Sequence, residues 1–415
     1  MVSTPIKAAY AMFIAMGFLV LCPSIATAED SPQKLEITWQ QIVQAVDNHA
    51  LLKQQEIQQR IGEAGIREAR AIPNPTVELS IARGKAKETD ETALEWGASL
   101  TVPLDWIATR NAAVRAAQAE SNIVESDQAL LRKDVIAALR RLFWHSVYQQ
   151  EKTKFLEQLL RETTSLTRLI QKRVESGDAR PTELSRIRIE QEKVALALTA
   201  ARMEMTACQS EIGLWMGEKG PIHVNSTLSF TTDNAPQASA AQVASHPAIE
   251  GTRRQIDAAD ARIQREKRHR FPEMALNVFA ENELDKTALG AGVAVSVPLW
   301  NFNDGAIERA QAEKAARQAE MDVQQFQLER RRLQANASCR RSYHLAKEFA
   351  SRVLPEATDV AARVARAYAL GEATLIDVLD ARRSLLDTRT ELLDAQLQAR
   401  LDCSDVQNLT GEEKQ

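Results

Sequence analysis

The chain contains two similar halves. Residues near His49 to Gly217 recur near His246 to Gly411. Pro75 falls on Pro272 at an offset of 197, and the two closing glycines fall on each other at an offset of 194. Unrelated helical segments would not keep so steady an offset through helices, proline breaks and ends. The sequence therefore indicates an internal duplication in which both halves adopt the same plan.

The N-terminus has the pattern of a secretory signal peptide over residues 1–28. Lys7 precedes an apolar run from Ala8 to Leu21, and the small residues Ala26-Thr27-Ala28 form a cleavage site. A membrane anchor is the alternative, but the run is shorter than the about 20 apolar residues that a spanning helix needs. Cys22 could carry a lipid, although Leu21 before it is larger than lipid attachment normally requires.

Composition excludes several classes of function. A net charge of −4 gives no sign of nucleic-acid binding. The six histidines are scattered, and no metal-ligand spacing, catalytic motif or phosphate-binding loop is present. The sequence predicts no enzyme, no cofactor and no metal site.

Two pairs of residues occupy related positions in the two repeats, and we expect both pairs to have structural roles. His49 and His246 both lie near a helix start, where a structural role is expected. Cys208 and Cys403 fall at almost equivalent positions, and Cys339 makes the number of mature cysteines odd. We therefore expect isolated small apolar side chains and no disulfide framework.

Each half contains a long helical segment. Residues 111–176 lack proline and glycine, and residues 306–370 contain only Pro355, which should kink the helix. About 65 helical residues extend for about 100 Å. Return helices start near Arg180 and Thr374, and the second has apolar pairs at heptad spacing. That spacing favours coiled-coil packing over an ordinary helical core.

Each half also contains two segments with period-two alternation. They cover about residues 75–84, 94–103, 273–281 and 288–298. Their lengths approach the roughly 9 to 11 residues of a tilted membrane strand. Four strands cannot close a barrel, and lipid does not tolerate an open sheet edge, so the chain must oligomerise. Three copies would supply twelve strands, although other multiples also close.

Two motifs carry a resemblance to a known family. They are the segment from Tyr368 to Ala381, with its Asp-Val-Leu-Asp-Ala run, and Arg70-Ala71-Ile72-Pro73-Asn74-Pro75. With the signal peptide and the duplicated plan, they resemble the TolC-like outer-membrane factor family, and the second motif resembles its cobalt-zinc-cadmium resistance branch. The fold class implied is mainly α with a membrane β-barrel contribution. A homotrimer would form a twelve-stranded barrel and a periplasmic α-barrel of long coiled-coil helices.

The resemblance also assigns site residues. Gly177 and Gly371 match the periplasmic tips that adaptor proteins contact, with the small or apolar residues Ala179, Ala373 and Leu375 beside them. The gate residues that it implies are Asp377, Asp380 and Tyr368. Ala373 stands where the best-known member has an arginine of the gate lock, and Arg382 or Arg383 could replace it. The alternative is that both aspartates are solvated acids near a helix start.

The domain plan is a first repeat (29–217), an equatorial linker (218–239) and a second repeat (240–415). The function implied is the outer-membrane exit duct of a tripartite efflux system, working with a periplasmic adaptor and an inner-membrane pump. Its cargo is expected to be heavy-metal cations. Alternatives are a duct for drugs or for type I protein secretion, or a periplasmic coiled-coil adaptor or scaffold without a pore.

Overall fold

The computed structural model describes residues 35–85, 92–218, 222–230, 234–283 and 286–410. The predicted signal peptide, Cys22 and parts of both hairpin loops lie outside these residues. In chain order the strands are β1 (Leu35–Ile37), β2 (Thr76–Lys85), β3 (Thr92–Pro103), β4 (Ile222–Val224), β5 (Glu273–Asn282) and β6 (Thr287–Ser296). The helices are α1 (Trp39–Asp47), α2 (Ala50–Arg70), α3 (Trp106–Glu175), α4 (Pro181–Met216), α5 (Ala240–Ala244), α6 (Pro247–Arg268), α7 (Asp304–Glu348), α8 (Leu354–Leu370) and α9 (Leu375–Thr410).

Both halves follow one order of elements. A helix of about 20 residues leads into a β-hairpin, and a long helix then runs to a turn from which another long helix returns. The first long helix, α3, has 70 residues. The predicted fold class, long helices with four strands in two hairpins, is confirmed. Among the described residues, no helix combines the length and apolar character needed to cross a membrane.

The long helix of the second half is interrupted where the sequence predicts only a kink. A π-helical turn of five residues, Phe349–Val353, separates α7 from α8. Pro355 is the second residue of the helix that follows, and it has no N–H to donate to the carbonyl of Ser351. The widened turn relieves the resulting clash in the helical hydrogen-bond ladder.

The two hairpins form one antiparallel sheet in the order β2-β3-β5-β6. Val77 lies opposite Leu100, which lies opposite Val278 on its other side, so alternate residues of all four strands share one apolar face. These side chains are exposed in the single chain. The exposed members of the face are Val77, Leu79, Ile81, Leu94, Trp96, Leu100, Met274, Leu276, Val278, Leu289, Val293 and Val295.

Midway along the helices, the linker packs against the bundle. β1 pairs in parallel with β4 of the linker. The guanidinium of Arg400 lies 4.3 Å from the ring centroids of both Trp144 and Phe230. It also donates hydrogen bonds to the carbonyls of Leu228 and Ser229, at 3.1 and 2.5 Å. One partly buried cation therefore holds the linker to α3 and α9.

The cysteine prediction was wrong. Cys339 on α7 and Cys403 on α9 form a disulfide, with their Cα atoms 4.6 Å apart. The antiparallel packing of these two helices brings together residues separated by 64 positions. Cys208 has no disulfide partner and is partly exposed. The odd number of cysteines therefore reflects one bridge and one free thiol.

The two repeat-related histidines have the structural role expected of them. His49 begins α2, where its Nδ1 accepts a hydrogen bond from the N–H of Leu51 at 3.3 Å. His246 begins α6 and accepts one from the N–H of Ala248 at 3.2 Å. Both side chains therefore cap helix N-termini that would otherwise leave donors unpaired.

Candidate functional site at the hairpin tips

Both hairpin tips turn on a glycine in the left-handed conformation. Gly177 has φ +83° and Gly371 has φ +79°. After α8, the N–H of Glu372 bonds to the carbonyl of Ala367, and the N–H of Asp178 makes the same kind of bond to Arg173 after α3. This is the Schellman pattern, in which a residue without Cβ is strongly favoured at the left-handed position. The structure places both predicted tip glycines at the exposed ends of the hairpins.

A small core joins all four helices just above the tips. Tyr368 of α8 is 7% exposed and Leu375 of α9 is 4% exposed. The other buried members of this core are Leu166, Ile170, Ile187, Val378 and Leu379. Leu375 therefore supports the tip from inside, whereas Ala179 and Ala373 remain partly exposed beside the glycines.

The buried Tyr368 lies at the contact between the two hairpins. The guanidinium of Arg173, on α3, lies 5.3 Å from the centroid of its ring. The Tyr368 hydroxyl is buried and has no hydrogen-bond partner within the described part of the chain. Buried hydroxyls normally find a partner, so this oxygen is positioned to accept or donate a bond when the tip changes its packing or its neighbours.

The carboxylate of Asp377 caps the start of α9. It accepts hydrogen bonds from the backbone N–H and the hydroxyl of Thr374, at 2.8 and 2.7 Å. The Thr374 hydroxyl in turn accepts from the N–H of Asp377 at 3.3 Å. These bonds hold the pKa of Asp377 below its ordinary value. Asp377 thus has the helix-start role that the sequence left open as the alternative to a gate.

Asp380 lies one turn further along α9 and differs from Asp377 in its surroundings. Its side chain is 68% exposed, and its nearest cation is Arg383, with Nη1 at 3.9 Å. An exposed ion pair of this kind contributes little to stability. Asp380 is therefore the acid of the predicted pair whose charge is free to act on solvent or solutes.

Arg383 connects the two hairpins. Its Nη2 donates to the carboxylate of Glu190 on α4, whose side chain is only 18% exposed. Burial alone would raise the pKa of Glu190, but hydrogen bonding and the charge of Arg383, together with Lys193, lower it. Arg382 lies instead in a half-buried site, where burial lowers its pKa. Of the two arginines considered from the sequence, Arg383 is the one that forms an ion pair with the other hairpin.

A second charged region lies on the polar face of the sheet. Glu78 is opposite Ser99, and Glu281 is opposite Gly97, so both carboxylates project from the face opposite the apolar one. The strand cations Arg83 and Lys85 alternate onto the other face. Within β2, β3, β5 and β6, the charged residues of the polar face are all acids: Glu78, Glu95, Glu273 and Glu281.

No group of three or more His, Cys, Asp or Glu side chains with the geometry of a metal site occurs among the described residues. The acidic residues of the tips and of the sheet therefore do not converge on one metal ion and lie apart from one another on the surface. Such spacing suits electrostatic attraction of passing ions.

The sequence of this chain is similar to a known protein family and to two individual proteins. The family described as outer membrane efflux protein matches twice, over residues 41–217 and 240–412. The chain is 23% identical to the cobalt-zinc-cadmium resistance protein CzcC of Cupriavidus metallidurans, over 80% of this chain and 79% of that protein. It is 25% identical to the outer membrane efflux protein BepC of Brucella suis, over 89% and 84%.

Solved structures show the same fold. The open state of the MtrE outer membrane channel of Neisseria gonorrhoeae matches with a TM-score of 0.74 at 14% identity, over 90% of this chain and 89% of that one. The predicted function class, an outer-membrane efflux channel, is confirmed, and the family is one of channels, not enzymes. The two family matches span both repeats and most of the sequence, and the chain therefore belongs to the outer membrane efflux protein family.

Proposed function

We propose that this protein is the homotrimeric exit duct of a tripartite efflux system and that its cargo is heavy-metal cations. The observation that carries the cargo assignment is the polar face of the sheet, where every charged side chain is a carboxylate. The duct would be passive, because the energy for export would come from an inner-membrane pump reached through a periplasmic adaptor.

The open edges of the sheet support the trimer. β2 and β6 each have a neighbour on one side only, and the apolar face beside them is exposed. Unpaired strand edges are not stable in lipid, so β6 of one copy must pair with β2 of the next. Three copies give twelve strands, an even number within the range of membrane barrels.

In that trimer the apolar face contacts lipid and the polar face lines the lumen. Each copy contributes Glu78, Glu95, Glu273 and Glu281, so three copies line the lumen with twelve carboxylates and no strand cation. A narrow water-filled path with charges of one sign attracts ions of the opposite sign and repels the others. The similarity to a cobalt-zinc-cadmium resistance protein supports the same cargo.

The tips would form the regulated end of the duct. Asp377, Asp380 and Tyr368 are the proposed gate residues, and the Arg383–Glu190 ion pair would take the place of the arginine that is missing at Ala373. The proposed adaptor-contact surface is Gly177, Ala179, Gly371 and Ala373. Leu375 would act only by packing beneath this surface, because it is buried.

Ion selectivity in planar bilayers tests the cargo assignment. The variant with Glu78→Gln, Glu95→Gln and Glu281→Gln should shift the reversal potential in a salt gradient toward zero, because it removes nine lumenal charges from a trimer. A matched variant with Glu36→Gln, Glu56→Gln and Glu63→Gln changes three exposed carboxylates outside the four-stranded sheet and should keep the selectivity of the wild type. Equal selectivity in all three proteins would refute a cation-selective barrel.

Growth assays test the same proposal in cells. Deletion of the gene should lower tolerance to zinc, cobalt or cadmium, and the wild-type gene should restore it. Unchanged metal tolerance together with increased drug sensitivity would assign the duct to drug export instead.

A further inference from the structure

A cavity lies midway along the helices, where α9 ends and α6 begins. Both of these helices pack against α3 and α7, and the end of α9 lies close to the start of α6. A space of about 650 Å³ remains between the four helices. That volume is within the range of small-molecule binding sites.

Three side chains from three of these helices contribute N–H groups to the cavity. They are Lys133 of α3, His246 at the start of α6 and Arg331 of α7. The Nδ1 of His246 accepts a hydrogen bond from the N–H of Ala248, so Nε2 carries the proton of the neutral ring and is the donor. His246 is also the N-cap of α6, so the positive end of that helix dipole lies at the cavity.

Two of these three donors are cations without a partner. No hydrogen bond or ion pair joins Lys133 or Arg331 to another residue in the described part of the chain. Burial, followed by the charges of Lys133 and Arg331, lowers the pKa of His246 to about 4. Burial lowers the pKa of Lys133 to about 8, so this side chain is still mostly charged at neutral pH. Like charges gathered in this way destabilise one another unless an anion joins them.

The carboxylates of the cavity wall form no ion pair with these two cations. Asp405 accepts from the guanidinium of Arg141 at 2.6 Å, and Asp402 accepts from the side-chain amide of Gln398 at 2.8 Å. Asp134 is exposed, and its side chain points about 100° away from that of the preceding lysine around the helix. Both unpaired cations are therefore available to a ligand.

An adjoining cavity of about 290 Å³ shares Lys133 and His246 with the larger one. Its wall includes Arg140, which is only 2% exposed and donates from Nη1 to Asn408 at 3.0 Å. A buried guanidinium therefore adds positive charge beside the same two side chains.

The first repeat has an aromatic ring at the corresponding position. His49 is the counterpart of His246, and its ring centroid lies 4.5 Å from that of Trp215. At the repeat offset of 194, Trp215 corresponds to Leu409, which lines the cavity. The smaller leucine leaves room beside His246 that the indole fills beside His49. The cavity therefore depends on a residue that differs between the repeats.

We infer that this cavity binds a phosphate group through Lys133, His246 and Arg331. A phosphate monoester carries a charge of about −1.5 to −2 near neutral pH, which matches two cations, and its oxygens accept several charge-assisted hydrogen bonds. The cavity is larger than a phosphate alone needs, and its wall includes the apolar side chains of Leu130 and Leu409, so it accommodates a small organic substituent. One chain supplies the whole site, so the inference goes beyond the proposed efflux function and does not depend on the trimer.

Isothermal titration calorimetry of the full-length protein in detergent at neutral pH tests the site. Glycerol 3-phosphate and inorganic phosphate are the phosphate probes, and succinate is a dicarboxylate of similar charge. The wild type should bind glycerol 3-phosphate more tightly than succinate. Lys133→Gln with Arg331→Gln should weaken phosphate binding by roughly a hundredfold, because each hydrogen bond from a charged donor contributes roughly tenfold or more.

Two further variants control for charge and for space. Lys154→Gln with Arg330→Gln removes one lysine of α3 and one arginine of α7 that do not line the cavity, and it should bind phosphate like the wild type. Leu409→Trp copies the residue of the first repeat and keeps all three donors. It should abolish binding because the indole fills the cavity.

Melting temperatures provide a second measurement and show that the variants are folded. Without phosphate, Lys133→Gln should melt at or above the temperature of the wild type, because it removes an unpaired charge beside another cation. Phosphate should raise the melting temperature of the wild type and leave that of the Lys133→Gln, Arg331→Gln variant unchanged.

Equal phosphate affinity in the wild type and in the Lys133→Gln, Arg331→Gln variant, or no binding by the wild type, would overturn the site. Tighter binding of succinate than of glycerol 3-phosphate would overturn its assignment to phosphate. A preference for the ester over inorganic phosphate would support an organic ligand, and the reverse preference would support free phosphate in the same site. None of these measurements involves conductance or metal tolerance, so failure of the site leaves the exit duct standing.

Discussion

The ion pair between Arg383 of α9 and Glu190 of α4 fastens the second hairpin to the first. It crosses from one repeat to the other, and the repeat offset of 194 places Ile189 where Arg383 stands in the second copy. The link is therefore made once in each chain. If the tips must separate to pass a solute, this contact has to open.

Glu190→Gln removes the charge that holds Arg383, and single-channel conductance in planar bilayers should rise because the two hairpins are less firmly joined. Arg202 and Glu157 form a control pair at 2.7 Å, which lies wholly within the first hairpin. Glu157→Gln should leave conductance unchanged. Equal conductance in Glu190→Gln and wild type would show that the ion pair is not part of the gate.

Acidification should act on the same link. Because Arg383 and Lys193 lower the pKa of Glu190, the stabilisation by this carboxylate is complete above the ordinary value of 4.5 and is lost as the pH falls through the lowered value. The conductance of the wild type should therefore rise in that acidic range. Glu190→Gln should lack this step, and a step of equal size in the variant would assign it to other carboxylates.

The capping role of Asp377 and its proposed role in the gate can be separated by comparing variants of Thr374, Asp377 and Asp380. Thr374→Ala removes the capping partner and keeps both charges, so it should lower the melting temperature without changing ion selectivity. Asp380→Asn removes an exposed charge that caps nothing, so it should lower cation selectivity and divalent block with little effect on melting. If Asp377→Asn together with Asp380→Asn preserves selectivity and block, the two acids do not form the constriction.

Much of the fold could be predicted because it depends on local periodicity. The period-two segments at 75–84 and 94–103 are observed as strands over Thr76–Lys85 and Thr92–Pro103. The resemblance assigned Gly177 and Gly371 to the tips, and the left-handed turn that each adopts strongly favours glycine. These features need no knowledge of which helix packs on which.

The features that sequence reasoning missed are contacts between distant helices. The Cys339–Cys403 bridge depends on the antiparallel packing of α7 on α9, and the Arg383–Glu190 pair depends on how the second hairpin packs on the first. Neither has a spacing that a single sequence marks. The π-turn was signalled only by Pro355, which predicts a disturbance of the helix and not its form.

Arg400 should be the residue on which docking of the linker most depends. Arg400→Met keeps much of the side-chain volume but loses the contacts with Trp144 and Phe230 and the hydrogen bonds to the linker carbonyls. We expect a loss of roughly 2–4 kcal/mol in the free energy of unfolding. Limited proteolysis should then cut within residues 218–239, whereas Arg141→Met, which removes a half-exposed ion pair with Asp405, should leave the linker protected.

The disulfide should be the strongest single constraint on the second hairpin. It closes a loop that contains the π-turn, α8 and the tip, and its sulfurs lie in a core that includes residues of the linker. For residues separated by 64 positions, loss of the cross-link should lower the free energy of unfolding by about 4 kcal/mol through the entropy of the unfolded chain. Denaturant titration of the variant with Cys339→Ser and Cys403→Ser measures this loss, and Cys208→Ser is the matched control that should unfold like the wild type.

Because Cys339 is fully buried, reductant should break the bridge in the native protein only as fast as the linker lifts away. Arg400→Met should therefore accelerate reduction, and equal reduction rates in the variant and the wild type would show that the linker does not protect the bridge.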